Sequence, residues 1–84
     1  MTTHELKITT AYFHFVCAGV KKAEFRLNDR QFKEGDLLKL CEWLPEAEGY
    51  TGDYVFVRVT NITDVSQWAP GYVMLSFDFG PWKS

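Results

Sequence analysis

Alternation of apolar and polar side chains marks out most of this chain. His4 to Ile8 puts Leu6 and Ile8 on one face and Glu5 and Lys7 on the other, the two-residue period of a short strand. Thr9 and Thr10 follow as N-cap candidates, and Ala11 to Ala18 carries apolar residues at helical spacing. Tyr12, Phe15 and Val16 form an i, i+3, i+4 stripe predicted to be buried. Gly19 stands where a left-handed residue ends a helix. At about two turns, this helix is shorter than the ~12–15 residues that are stable alone, so packing must hold it.

Ala23 to Leu27 alternates again. Ala23, Phe25 and Leu27 are expected to point inward and hold the sheet together, with Glu24 and Arg26 sharing the other face. Asn28 to Gln31 and Phe32 to Asp36 have turn chemistry. Leu37 to Cys41 is apolar on both sides, as a covered central strand would be. Leu44 to Gly52, with Pro45, Gly49 and Gly52, reads as a loop. Tyr54 to Ile62 is the clearest strand, with Val55, Val57 and Val59 on one face and Tyr54, Phe56 and Arg58 on the other. Asp64 to Ala69 has room for a single helical turn, and Pro70-Gly71 is a turn. Tyr72 to Phe79 is a last strand, with Val73, Leu75, Phe77 and Phe79 inward and Pro81-Trp82 stopping it.

The predicted fold is therefore mainly β (α+β), a single domain over residues 1–84. About five strands and one or two short helices would make a small curled sheet or partly closed barrel, plugged or flanked by the helix. A parallel α/β sheet is excluded because the crossover helices are missing.

Composition supports a packed domain: 46% hydrophobic and 17% aromatic content in 84 residues is enough for a core and argues against disorder. No apolar run approaches the ~18 residues of a membrane helix, and the N-terminus lacks a charged-then-apolar signal pattern. No membrane association and a cytoplasmic location are the expectations. Cys17 and Cys41 lie in apolar stretches and are expected as buried, reduced thiols. With only His4 and His14 beside them they make no zinc pattern, so neither metal nor cofactor is expected.

Charge changes the picture in one place. Gly19 to Asp36 holds five of the nine Lys and Arg residues: Lys21, Lys22, Arg26, Arg30 and Lys33. Residues 21–33 carry five basic against two acidic side chains, a balance of +3, while the rest of the chain carries four against nine, a balance of −5. A locally positive face on an acidic body suits a small anionic ligand or a short nucleic-acid contact. A lattice of surface ion pairs would show the same pattern.

The motifs in this region carry a family resemblance. H-E-L-K-I at the start, G-V-K-K-A-E-F-R from Gly19, N-D-R-Q-F from Asn28, G-D-L-L-K-L from Gly35 and Y-T-G from Tyr50 resemble the ASCH superfamily. They resemble more closely a small branch of it common in bacteriophages and prophages. The resemblance implies a fold similar to the PUA domain, a small RNA-binding β-barrel, and a bacterial host cell as the setting. It implies a cleft between the first helix and the barrel lined by Lys21, Glu24 and Arg26.

Physically, that trio suits RNA or a modified nucleoside or nucleotide. Arg26 offers a bidentate fork to a phosphate or base edge, Lys21 a compact charge, and Glu24 an acceptor for an exocyclic amine. Asn28, Arg30 and Lys33 extend the expected contacts, and Trp43 and Tyr50 are the favoured stacking residues among several aromatics that include Trp68 and Trp82. Two other classes stay open. One is a small hydrolase in the same cleft, with Lys21 and Glu24 as catalytic candidates. The resemblance implies an N4-acetylcytidine amidohydrolase or a ribonuclease. In the amidohydrolases, however, a Thr nucleophile occupies the place where Glu24 stands, and His4 and His14 are the titrating candidates for RNA cleavage. The other is a phage protein that binds and blocks a host protein through exposed aromatics.

Overall fold

All five predicted strands and the helix form, in the predicted order. A computed structural model describes residues 2–79, so Pro81, Trp82 and the expected stop of the last strand lie outside the described residues. The elements are β1 (Thr3–Thr9), α1 (Thr10–Cys17), β2 (Ala23–Leu27), β3 (Leu37–Leu44), a 3-10 turn (Pro45–Ala47), β4 (Gly49–Asp64) and β5 (Tyr72–Asp78). Gly19 takes the left-handed conformation past the helix end (φ +77°), as expected. The strands form one sheet in the order β1-β3-β4-β5-β2.

Two features of the sheet differ from expectation. First, it is mixed: β1 and β3 are parallel neighbours, joined through α1, β2 and the 28–36 loop, and the other neighbours are antiparallel. Second, it is not closed into a barrel: β1 and β2 are its two edges, with no backbone ladder between them among the described residues.

The concave face holds the core. Leu6 and Ile8 of β1, Leu38 and Leu40 of β3, Val57 and Val59 of β4, and Val73, Leu75 and Phe77 of β5 meet Phe13 and Val16 of α1 and Phe32 of the loop. The helix docks through Phe13 and Val16, and Tyr12 and Phe15 are 54% and 51% exposed. The expected Tyr12–Phe15–Val16 stripe is thus rotated by about one residue, because so short a helix needs only one i, i+3 pair on the sheet.

The faces of β2 are also reversed. Glu24 and Arg26 lie opposite Leu75 and Val73, on the core side, while Phe25 and Leu27 point outward and are about half exposed. Phe25 stacks on Tyr72 with ring centroids 4.8 Å apart and planes 11° from parallel. The expected loop at 44–52 is instead a hairpin. β3 runs to Leu44, and β4 begins at Gly49 after the 3-10 turn, with Glu48 in the left-handed region (φ 48°). The Pro and Gly residues shape that turn and a bulge without ending the strands.

The N-terminal edge is held by a buried polar pair. The His4 Nε2 lies 2.9 Å from the Asp36 Oδ2, which also accepts the Lys33 backbone N–H at 3.0 Å. The His4 ring meets Phe32 edge-on at 4.7 Å. His4 is thus structural in position, tying β1 to the loop ahead of β3. Burial alone would push the pKa of Asp36 up. The His4 hydrogen bond, the Lys33 and Thr2 amides and the charge of His4 outweigh it and hold the carboxyl below its ordinary range. The folded state therefore favours the carboxylate. That stability is present above the unfolded value near pH ~4 and is lost as pH falls through the lower folded value. Asp36→Asn should cost about 1–3 kcal/mol at neutral pH. It should also flatten the acid limb of stability, read by urea unfolding between pH 2 and 7; an unchanged acid limb would contradict this role.

Candidate functional site

The alternation of β2 delivers Glu24 and Arg26 side by side to the concave face, and the turn after Gly19 brings Lys21 to them. The Lys21 Nζ lies 3.3 Å from the Glu24 Oε1, and the Arg26 Nη2 lies 3.0 Å from the Glu24 Oε2. The Arg26 Nε donates to the same carboxylate oxygen at 3.1 Å. One carboxylate thus sits between two cations and leaves one net positive charge. All three side chains are mostly covered, with Lys21 25% and Arg26 26% exposed. The Lys21 Nζ also lies 5.2 Å from the centroid of the exposed Tyr12 ring.

Arg26 does something the sequence does not announce. Its Nη2 donates to the backbone carbonyl of Lys7, on the opposite edge of the sheet. Arg30 does the same two residues along β1, its Nη1 donating to the Glu5 carbonyl at 2.8 Å. Alternate residues of a strand turn their carbonyls to the same side, so both arginines satisfy the edge of β1 that β3 leaves unpaired. The seam between β1 and β2 is therefore bridged by guanidinium groups in place of a backbone ladder.

The other predicted residues divide. The Asn28 Oδ1 accepts the Phe32 N–H at 3.3 Å and its own N–H donates to the Gly71 carbonyl, which are turn contacts. Lys33 is exposed, near the seam in sequence, and its backbone N–H serves Asp36. Trp43 and Tyr50 form a cross-strand pair, edge to face at 5.0 Å, on the convex side of the sheet. The Lys7 Nζ lies 4.1 Å over the Trp43 ring. The structure does not bring Trp43 and Tyr50 to the trio, because the sheet stands between them.

A polar cluster on β3 escapes the motif reading. Glu42 is buried on the concave side, where the β3–β4 register shifts between Cys41 and Trp43. The Thr51 Oγ1 donates to the Glu42 Oε1 at 2.7 Å, and the His14 Nε2 lies 3.5 Å from the Glu42 Oε2. Gly52 sits in this bulge with φ +98°, a conformation that favours glycine. The signal in the sequence was Glu42 itself, an acid in phase with the inward-facing Leu38 and Leu40 of β3. Cys17, one turn beyond His14, is exposed, contrary to the buried thiol expected. Partial burial of its sulfur, then the charges of Glu42 and Asp53, push the thiol above its ordinary value, which keeps it protonated and a poor nucleophile. Cys41 is half-buried, and both cysteines are free.

Among the described residues no group of three or more His, Cys, Asp or Glu side chains could hold a metal ion. No helix among them is long and apolar enough to cross a membrane.

Residues 3–77 match a protein family described as a domain of unknown function, DUF3850. The chain is also similar to an uncharacterized 12.9 kDa protein in the GpA 3' region of Escherichia phage P2, with 44% identity over 72 residues. The match covers 86% of this chain and 64% of that relative, so the chain spans less than two thirds of the relative's length. The phage-type resemblance seen in the motifs is thus supported at the level of a small phage protein.

If Arg26 bridges the two edges, Arg26→Ala should cost about 1–3 kcal/mol, the range for hydrogen bonds to a charged group. Arg26→Lys should recover only part of this, because an ammonium has no planar fork to reach both Glu24 and the Lys7 carbonyl. Urea unfolding of the three proteins checks this; equal stability would show the bridge to be idle.

Proposed function

We propose that this chain, which belongs to the DUF3850 family, binds RNA or a nucleotide at the seam between β1 and β2. The observation that carries this reading is the Lys21–Glu24–Arg26 cluster, in which two cations share one carboxylate. A ligand phosphate supplies the second negative charge that the two cations lack. Lys21 is the group best placed to take it, since Arg26 is committed to Glu24 and to the Lys7 carbonyl. Glu24 then acts as a positioning residue that holds both cations. The exposed ring of Tyr12 beside Lys21 offers a face on which a base can stack. Arg30, 46% exposed, and Lys33 continue the positive strip along the seam.

The same reading relates the chain to the ASCH superfamily and its PUA-like RNA-binding barrels. The curled five-stranded sheet, with α1 laid across its concave face, supports that relation. A soluble role in the bacterial cytoplasm goes with it. Trp43 and Tyr50 drop out as stacking partners for this ligand, since they lie on the convex side.

A second reading, a small hydrolase, is favoured by a different cluster from the one the motif suggests. Glu42, Thr51 and His14 place a buried carboxylate against a hydroxyl and an imidazole. In this reading Glu42 takes the Thr51 proton as the hydroxyl attacks, and His14 donates a proton to the leaving group. Turnover of N4-acetylcytidine or of a short RNA that is lost in Thr51→Val would support it.

The binding reading is tested by fluorescence anisotropy with a short labelled single-stranded RNA at low salt. Lys21→Ala should weaken binding and reduce the slope of log K against log salt by about 0.7, the value for one phosphate contact on a single strand. Lys21→Ala is preferred to Arg26→Ala because Arg26 also carries stability. Absence of binding by the wild-type chain at low salt would overturn the proposal.

A further inference from the structure

An unbroken row of contacts joins the seam to the aromatic pair on the convex face, and Lys7 is the joint. Its backbone carbonyl accepts the Arg26 guanidinium at the open edge of β1, in an exposed contact. Its side chain alternates to the convex face, where the ammonium lies 4.1 Å over the Trp43 ring. Trp43 in turn meets Tyr50 edge to face at 5.0 Å. Lys21, Glu24, Arg26, Lys7, Trp43 and Tyr50 therefore follow one another around the β1 edge, from the concave side to the convex.

Cations and rings alternate along the outer part of this row. The Lys7 ammonium has no carboxylate partner among the described residues, and the neighbouring Glu5 carboxylate lies 3.9 Å from Lys39 instead. One positive charge is thus left over at the edge. Lys39 repeats the arrangement on the adjacent strand, its Nζ 4.4 Å from the centroid of Tyr54. Tyr50 and Tyr54 are 62% and 54% exposed. They border a groove of about 380 Å³ whose lining includes Lys39 and Cys41, a volume within the range of small-molecule sites. Among the described residues no α-helix lies over this face, because α1 packs against the other one through Phe13 and Val16.

We infer that the RNA bound at the seam is an extended single strand, which passes over the β1 edge at Lys7 and stacks its following bases on Tyr50 and Tyr54. This rests on the binding reading above and names its ligand class: several unpaired nucleotides, not a free nucleotide. A single strand offers phosphate and base in alternation, and the row of cations and rings answers both. Lys7 takes a phosphate at the edge, which supplies the negative charge it lacks. Trp43 and Tyr50 cannot reach a base held at the seam, but the nucleotides beyond the edge come to them. An acidic peptide would satisfy Lys7 and leave the rings unused. A duplex keeps its bases stacked on one another and presents none to a ring.

The test uses the whole chain and fluorescence anisotropy at low salt with three labelled probes: a uridine dinucleotide, an eight-nucleotide uridine strand and a short RNA duplex. The eight-nucleotide strand should bind about thirtyfold tighter than the dinucleotide, through bases stacked beyond the seam. Tyr50→Ser should weaken the longer strand about five- to tenfold, the loss of one stacked base, and leave the dinucleotide unchanged. Lys7→Ala should lower the salt slope of the longer strand by about 0.7. Lys21→Ala should weaken both single strands. If Tyr50→Ser and Lys7→Ala bind the longer strand as the wild type does, or the duplex binds as tightly as that strand, the inference falls and the seam reading stands. Loss in Tyr50→Ser without loss in Lys21→Ala would put the RNA on the convex face alone and overturn the continuous path. Absence of any binding of the longer strand would overturn both readings.

Discussion

The hydrogen bonds from two arginines to the edge of β1 make the rest of the arrangement possible. A five-stranded sheet of this length curls but does not meet itself, and two edges are left with unpaired backbone groups. Arg26 and Arg30 answer two of those groups, at Lys7 and Glu5, from the opposite edge. A charged donor makes a stronger bond than a neutral one, so two such contacts go some way toward replacing a short ladder. They also require the guanidiniums to be held in place, which is the work of Glu24 for Arg26. The polar face of β2 therefore turns inward because closing the edge needs it there. Phe25 and Leu27 are left outside, where Phe25 finds Tyr72. The same cations that mend the edge are the positive charge of the seam.

Much of this was legible from the residues alone. The strands β1, β2, β4 and β5 follow two-residue alternation, and Gly19 marks the end of α1. Alternation fixes which residues of β2 share a face, but not which face is buried. At an edge strand that choice depends on what lies across the gap, here the carbonyls of β1, some 20 residues away in sequence. The trio was legible as a trio because Lys21, Glu24 and Arg26 are local in sequence. Trp43 and Tyr50 stood out as stacking candidates beside an expected loop, but their cross-strand pairing and their side of the sheet were hidden, because both depend on the β3–β4 register. The parallel β1–β3 pairing was hidden for the same reason: it is a contact between segments more than 30 residues apart.

The two faces of the domain then acquire different chemical characters from one rule. Because strand side chains alternate, each strand can contribute differently to the two faces. β1 gives Leu6 and Ile8 to the core and Glu5 and Lys7 to the convex side, while its carbonyls at those same two residues hold the arginines. One strand thus supports the positive seam with its backbone and, with a side chain, gives Glu5 to the Lys39 ammonium on the other face.

The β3–β4 bulge shows what a single irregularity supplies to the core side of the sheet. Between the Cys41–Tyr54 pair and the Trp43–Tyr50 pair, β4 carries more residues than β3, and Thr51, Gly52 and Asp53 occupy the excess. Gly52, at a backbone angle that suits a residue without a side chain, lets the chain turn there. Thr51 reaches Glu42 on the concave side, satisfying a carboxylate whose burial would otherwise be costly. The Thr51 hydroxyl also accepts the Asp53 backbone N–H, at 3.1 Å, which fixes the excess residues against each other. The bulge also explains why the Pro- and Gly-containing stretch resembled a loop: its glycine marks an extra turn inside a continuous strand, a distinction that composition alone does not draw.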